Sequence, residues 1–278
     1  MNYFFKISGF SDEIDKDTDV QFKELNRLGI SYFEVRGVNG KNISELSDEE
    51  LSNLKNKMGE YGISASSIGS PIGKIDITDV FDEHFERFKR VVYIAKYLDS
   101  KYIRMFSFYY PENEDPEKYK DAVTARIKQM VDYAAENGVV LLHENEKGIY
   151  GDTAPRCKEL FEAIKSPYFK AVFDPANFVQ CGQKVYPDAY EMLSDHIEYI
   201  HIKDSDSEGN VVPAGRGSGN LPELIAKLKS IGYNGFLSLE PHLGAFEGLQ
   251  KLEQDDKMMK LDKSGPDKFE LALNELKK

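Results

Sequence analysis

Cysteine is scarce in this 278-residue chain: there are two, Cys157 and Cys181, and neither sits in a CxxC or other nucleophile context. That does not suggest a disulfide framework, both thiols read as structural, and a reducing cytoplasm is the expected compartment. Long apolar runs are also missing, and no stretch reaches the ~18 to 20 residues that a membrane span requires. The opening segment, MNYFFKISGF, has no basic n-region, extended apolar core or small-residue cleavage site, so it does not read as a leader. Basic residues are outnumbered, 36 Lys and Arg against 48 Asp and Glu, which gives a formal net charge of −12. A surface of that sign repels a phosphate backbone and counts against nucleic acid as a partner. Small-molecule chemistry is the better expectation.

What is present is an alternation. Short runs rich in β-formers are FFKISGF (4–10), SYFEVRG (31–37), ISASSIG (63–69), KYIRMFSF (101–108), GVVLLHE (138–144), KAVFDP (170–175), IEYIHIK (197–203) and GFLSLEP (235–241). Segments of helical spacing lie between them. In DVQFKELNRLGI, Val20, Phe22, Leu25 and Leu28 can face a sheet while Lys23, Glu24 and Arg27 face water. The other helical segments are 48–60, 80–98, 116–136, 153–165, 187–195 and 221–231, and PDKFELALNELKK closes the chain. Glycines at 29, 62, 138 and 232 suit left-handed helix caps, and Ser47 with Glu50 reads as a capping box. Eight βα units in strict alternation predict a parallel sheet and a (β/α)8 TIM barrel, one domain over 1–278. Residues 243–266 break the rhythm and read as an insertion or as a lid over the strand ends.

A barrel of this kind carries its site at the C-terminal ends of the strands. Ionisable residues gather there: Glu34 and Arg36 on strand two, Arg104 on strand four, Glu144 and Glu146 on strand five, Asp174 on strand six, His201 and Lys203 on strand seven, Glu240 and His242 on strand eight. Members of a pair two residues apart share a face of the strand. A ring of salt bridges accounts for any single one of them. The whole set describes a lined pocket better than a packed core, since buried charge is costly unless paired or bound to a metal. In HENE (143–146), two glutamates side by side need a positive partner, whereas His143 lies on the opposite parity. Glu144, Asp174 and Glu240 with the imidazole of His201 make a chemically sensible set for one divalent cation. Hard oxygens with one nitrogen favour Mn²⁺, with Mg²⁺ and Co²⁺ close behind and Zn²⁺ also accommodated. GSPIGK (69–74) is too short for a P-loop and has Ile75 where Ser or Thr would bind metal, so it reads as a turn with one exposed lysine. GRGSG (215–219) reads as a mobile loop before the last helix pair, with phosphate binding as the alternative.

The motifs HENE, FDPANF, HIKDS and SLEPH resemble those of the sugar phosphate isomerase/epimerase group, the xylose-isomerase-like TIM barrels. ISGFSDE, GSPIGK, IRMFSFY and PAGRGSG fit the same pattern, so the likeness covers nearly the whole chain. It implies a divalent metal held by Glu144, Asp174, His201 and Glu240, with Glu144 and Glu240 as the acid/base pair. One position departs from it: several epimerases have a substrate-binding His three residues after the metal Asp, and this chain has Asn177. The implied activity is isomerisation or epimerisation of a sugar or sugar phosphate through an enediolate. Glu34, Arg36, Arg104, Glu146, Asn177, Lys203 and His242 are then expected to contact the substrate. The alternatives are a dehydratase or lyase on a keto-sugar, inosose or keto-glycoside, and a non-catalytic sugar-binding barrel. A metal-free aldolase using Lys203 is a further alternative. A multi-zinc DNA-repair endonuclease of the same barrel type fits poorly with five histidines and this charge. The expected partner is a small carbohydrate, with no nucleic acid or membrane, and homo-oligomerisation through outer helices or long βα loops is left open.

Overall fold

The computed structural model describes residues 5–246, 249 and 261–278. Eight strands form the central sheet: β1 (Lys6–Gly9), β2 (Tyr32–Val35), β3 (Ser64–Gly69), β4 (Tyr102–Met105), β5 (Val140–Glu144), β6 (Phe169–Phe173), β7 (Ile197–Ile202) and β8 (Phe236–Leu239). Their order is β1-β8-β7-β6-β5-β4-β3-β2, every ladder is parallel, and β1 packs beside β2 to bring the two ends of the sheet together. Among the described residues no ladder joins β1 to β2, so the (β/α)8 barrel is nearly closed. All eight runs read from the sequence become these strands. Both faces of such a sheet are covered, and every residue of β4, β5 and β8 is buried.

The outer helices are α1 (Thr18–Leu28), α2 (Asp48–Tyr61), α3 (Phe81–Tyr97), α4 (Lys120–Glu136), α5 (Ala154–Ile164), α6 (Pro175–Gln180), α7 (Tyr190–Leu193), α8 (Leu221–Ser230) and α9 (Pro266–Leu276). The four capping glycines have φ between 65° and 74°, which only glycine adopts without strain. The capping box is complete, with Ser47 Oγ accepting from Glu50 N at 3.2 Å and Glu50 Oε2 accepting from Ser47 N at 2.9 Å. Three details differ from expectation: Val20, read as facing the sheet, is exposed, and the other two concern helices. The helix expected over 187–195 keeps regular α geometry only at 190–193, and the FDPANF motif opens an unforeseen helix, α6. Asp174 caps that helix and Pro175, at its first position, loses no hydrogen bond there.

In the segment read as an insertion or lid, residues 247, 248 and 250–260 lie outside the described residues. Its two flanks meet: Ala245 pairs with Lys263, and Ser264 N donates to Ala245 O at 2.7 Å. No helix among the described residues is long and apolar enough to cross a membrane.

Candidate functional site

The C-terminal ends of β5 to β8 deliver Glu144, Asp174, His201 and Glu240 to one point, each with a ligating atom within 4.8 Å of the others, and all four are buried. His201 Nδ1 faces the focus, 3.0 Å from Glu144 Oε1, 3.2 Å from Glu240 Oε2 and 3.8 Å from Asp174 Oδ2. The far side of the ring is held by Glu34, whose Oε2 lies 3.2 Å from His201 Nε2 and accepts from Ser238 Oγ at 2.7 Å. Asp174 uses Oδ1 to accept from Asn177 N at 2.9 Å, the cap of α6, which leaves Oδ2 turned inward. Asp174 Oδ2 and Glu240 Oε2 are fully buried and accept no hydrogen bond. Buried carboxylate oxygens without donors are expensive, and two of them converging beside an imidazole nitrogen suit a divalent cation. The residues fit the metal that the sequence implies.

Electrostatics favour the same separation of charge. Burial raises the Glu144 carboxyl, but the His201 and Arg104 charges outweigh it and hold it at about 2. Burial likewise opposes ionisation of Glu240, yet Lys203, His242 and His201 bring it well below the usual carboxylate range. Against the cost of burial, Glu144, Glu34 and Glu240 push His201 well above its ordinary value. Without a metal ion, the imidazolium is thus the positive charge at the centre of the carboxylates.

Around this centre the arginines grip the outer oxygens of the two glutamates. Arg104 Nη1 donates to Glu144 Oε2 at 3.1 Å, and Arg36 Nη1 donates to Glu240 Oε1 at 3.1 Å. Both guanidiniums lie over the ring of Phe10, at 5.1 Å and 4.2 Å from its centroid. Arg36 is further held by Asp12 through Nε at 2.8 Å and by Glu13 through Nη2 at 3.2 Å. Glu13 Oε2 also accepts from His242 N at 2.8 Å, and His242 Nε2 lies 3.4 Å from both Glu13 Oε1 and Glu240 Oε1. Asn177 bridges two strands: Nδ2 donates to Glu144 Oε1 at 3.3 Å and to Asn145 O at 2.9 Å, while Oδ1 accepts from Lys203 Nζ at 2.9 Å. Lys203 Nζ is also 3.4 Å from Asp174 Oδ2.

The structure brings Arg36, Arg104, Asn177, Lys203 and His242 against the quartet and puts Glu34 behind His201, whereas Glu146 pairs with Lys74 instead. It also adds residues that strand parity could not find. Asp12 and Glu13 follow β1 in a short turn, and the only signal for them was the acidic end of ISGFSDE. Lys74 is a correction. Read as an exposed turn lysine, its side chain is only 8% exposed; it pairs with Glu146 Oε2 at 3.2 Å and lies 4.4 Å over Phe106. Gly73 makes this possible, because its φ of +88° and a would-be Cβ 2.0 Å from Phe106 O leave no room for a side chain. The GRGSG loop is a second correction. It is tied down on Asp204, whose carboxylate accepts from Gly215 N, Gly217 N, Gly219 N and Ser205 N, each at 2.9 Å. His143 points away from the site into an aromatic pocket with Phe161 and Phe169. Cys157 and Cys181 are free, and burial pushes both thiols up, which suits a structural role.

The family model described as xylose isomerase-like TIM barrel matches residues 22–260. The chain belongs to the xylose isomerase-like TIM barrel family. An uncharacterized protein of Methanocaldococcus jannaschii is 27% identical over 150 residues, which cover 51% of this chain and 51% of that protein, about half its length. Among solved structures, the IOLI protein with a zinc atom superposes with a TM-score of 0.77 at 17% identity, covering 98% of this chain and 96% of that one. A D-allulose 3-epimerase from Methylomonas sp. gives 0.75 at 17% identity over 98% and 96% of the two chains. The probable 3-DHS dehydratase AsbF of Bacillus anthracis, involved in petrobactin synthesis, gives 0.71 at 20% identity over 85% and 92%. At these identities the likeness is one of fold. The xylose isomerase-like barrels it resembles include sugar epimerases and a dehydratase.

Proposed function

We propose that the protein is a divalent-metal-dependent isomerase or epimerase of a keto-sugar, acting by proton transfer beside the carbonyl. The observation that carries this reading is the convergence of three buried carboxylates and His201 Nδ1, with two carboxylate oxygens that accept no hydrogen bond. Glu144, Asp174, His201 and Glu240 would hold the ion, with Mn²⁺ the preferred occupant on ligand chemistry. When bound, the ion supplies Lewis-acid polarisation of the substrate carbonyl and a counter-charge for the enediolate.

Glu144 and Glu240 come from strands on different sides of the centre, and each has one oxygen fixed by an arginine. Each is therefore aimed, with its second oxygen turned to the focus beside His201 Nδ1. One takes the proton from the carbon next to the carbonyl, and the C–H electrons move into the enediolate. If the same carboxylate returns the proton to the neighbouring carbon, the sugar isomerises. For epimerisation the second carboxylate, ionised in the free protein, takes up a solvent proton and delivers it to the opposite face. Lys203, Asn177, Glu146 and His242 stand around this space and serve to orient hydroxyl groups. Glu34 serves through His201, holding the ring so that Nδ1 is the ligand.

The test is solvent exchange. In D₂O with Mn²⁺, the wild-type protein places deuterium beside the carbonyl of its ketose, while Glu144→Gln and Glu240→Gln each lose at least 10²-fold. Mn²⁺ affinity of each variant is measured in parallel, so that a lost base is told from a lost ligand. Exchange that survives complete chelation would sink the metal requirement. Binding of the ketose without exchange would favour a sugar-binding barrel.

A further inference from the structure

The cations of the pocket are already spent. Arg36 is engaged by Asp12, Glu13 and Glu240, Arg104 by Glu144, Lys74 by Glu146, and Lys203 by Asp174, all at 3.4 Å or less. Glu34 adds another buried carboxylate behind His201. Among the described residues, these seven carboxylates pair with four lysines and arginines, an excess of three negative charges before the imidazoles are counted. A divalent ion at the centre leaves an excess of one.

A second feature points the same way. Barrels that bind phosphate commonly do so with backbone amides of the loops after strands seven and eight. Here the loop after β7 has the glycine amides for such a cradle, and Asp204 fills it. Gly215 N and Gly217 N donate to Asp204 Oδ2, and Gly219 N donates to Oδ1. A Cβ on Gly217 would lie 2.4 Å from Asp204 Oδ1, which shows how closely the loop wraps its own carboxylate. The anion that this loop binds is part of the chain.

From these two observations, and resting on the proton-transfer reading above, we infer that the substrate is an uncharged polyhydroxy ketone without a phosphate or carboxylate group. Hydroxyls can share the donors and acceptors of paired side chains. A phosphate dianion would have to displace a buried carboxylate from its cation, at the cost of leaving that carboxylate unpaired. Glu146 with Lys74, and Lys203 with Asn177, offer both hydrogen-bond signs to a hydroxyl.

The test uses matched pairs on the Mn²⁺-loaded full chain: free hexuloses, pentuloses and inososes, and each of the same compounds as a phosphate ester. Deuterium entry beside the carbonyl is followed by NMR. At least one uncharged ketone is expected to exchange, with kcat/KM at least 100-fold above its phosphate ester. Exchange in a phosphate ester equal to or faster than in its parent would overturn the assignment and leave the proton-transfer reading intact. Absence of exchange in both sets would instead remove the proton-transfer reading. Substrate charge is then decided by equilibrium binding of the two sets to the Mn²⁺-loaded protein: tighter binding of the uncharged members sustains the inference, and tighter binding of the esters ends it. Glu146→Gln supplies an internal check. Uncovering Lys74 is expected to shift the ester-to-parent ratio at least 10-fold toward the ester, and an unmoved ratio counts against the charge argument.

Discussion

Glu34 Oε2 lies 3.2 Å from His201 Nε2, on the opposite side of the imidazole from the carboxylates that Nδ1 faces. A buried carboxylate behind a ligating histidine fixes the ring's orientation and raises its basicity. Glu34→Gln keeps the shape and removes the charge. The expected result is a loss of Mn²⁺ affinity of about 10- to 100-fold with an unchanged circular dichroism spectrum, read by titration calorimetry. Equal affinity in the two proteins would mean that the ring is held by packing alone.

Arg36 is the cation whose loss should hurt folding most. It neutralises Asp12, Glu13 and Glu240 at once, and all four residues are buried. Arg36→Met leaves those acids facing one another, and removing one partner of a buried pair costs about 3–5 kcal/mol. Chemical denaturation of the metal-free protein measures this. Arg36→Lys should recover only part of the loss, because an ammonium cannot present the planar fork that spans three acids.

Acid sensitivity should begin at His143 and His84, both of which burial brings down to about 4; His143 is the more buried of the two. Neither of its ring nitrogens has a hydrogen-bond partner, and burial pushes its pKa from 6.5 down to about 4. The folded value lies below the unfolded one, so folding favours the neutral ring. Its contribution is complete above pH 6.5 and is lost as pH falls through about 4, about 3 kcal/mol in all. Glu144, lowered from 4.5 to about 2, loses its own contribution only below pH 4.5. Denaturation midpoints at pH 7 and pH 4.5 should therefore differ less in His143→Leu than in the wild type.

The loop that closes on Asp204 offers a test by rescue. Asp204→Gly removes a buried acceptor of four backbone amides, and with charged acceptors worth about 1.5–3 kcal/mol per bond the thermal midpoint should fall by several degrees. Inorganic phosphate can then enter the vacated cradle. At matched ionic strength it should raise the midpoint of Asp204→Gly and leave the wild type unmoved. A wild-type protein stabilised equally by phosphate would show that an open anion site exists elsewhere.

Much of the fold was legible because it depends on local rules. The alternation of runs placed all eight strands, and glycines after helices placed four left-handed caps, since each signal lies within a few residues of the feature it sets. The quartet Glu144, Asp174, His201 and Glu240 was legible because strand parity aims side chains without knowledge of the neighbours. Glu34 has the same parity yet sits one layer deeper, because depth depends on how the strands are staggered around the barrel. Lys74 was misread because its burial is imposed by Phe106 and Glu146, which are distant in sequence. Asp204 and GRGSG were each visible as part of a motif. Only the return of the chain after β7 shows that one is the ligand of the other.

Phe10 has a consequence for how such a pocket can change. Its ring lies beneath both guanidiniums, and each guanidinium holds one of the two glutamates assigned to proton transfer. The seating of those glutamates therefore depends on one shared aromatic side chain as well as on the strands that carry them. A chain adapting to a bulkier ketone could widen its jaws by altering this shared floor while both carboxylates keep their arginines. Variation at position 10 would then tune reach, leaving the chemistry in place.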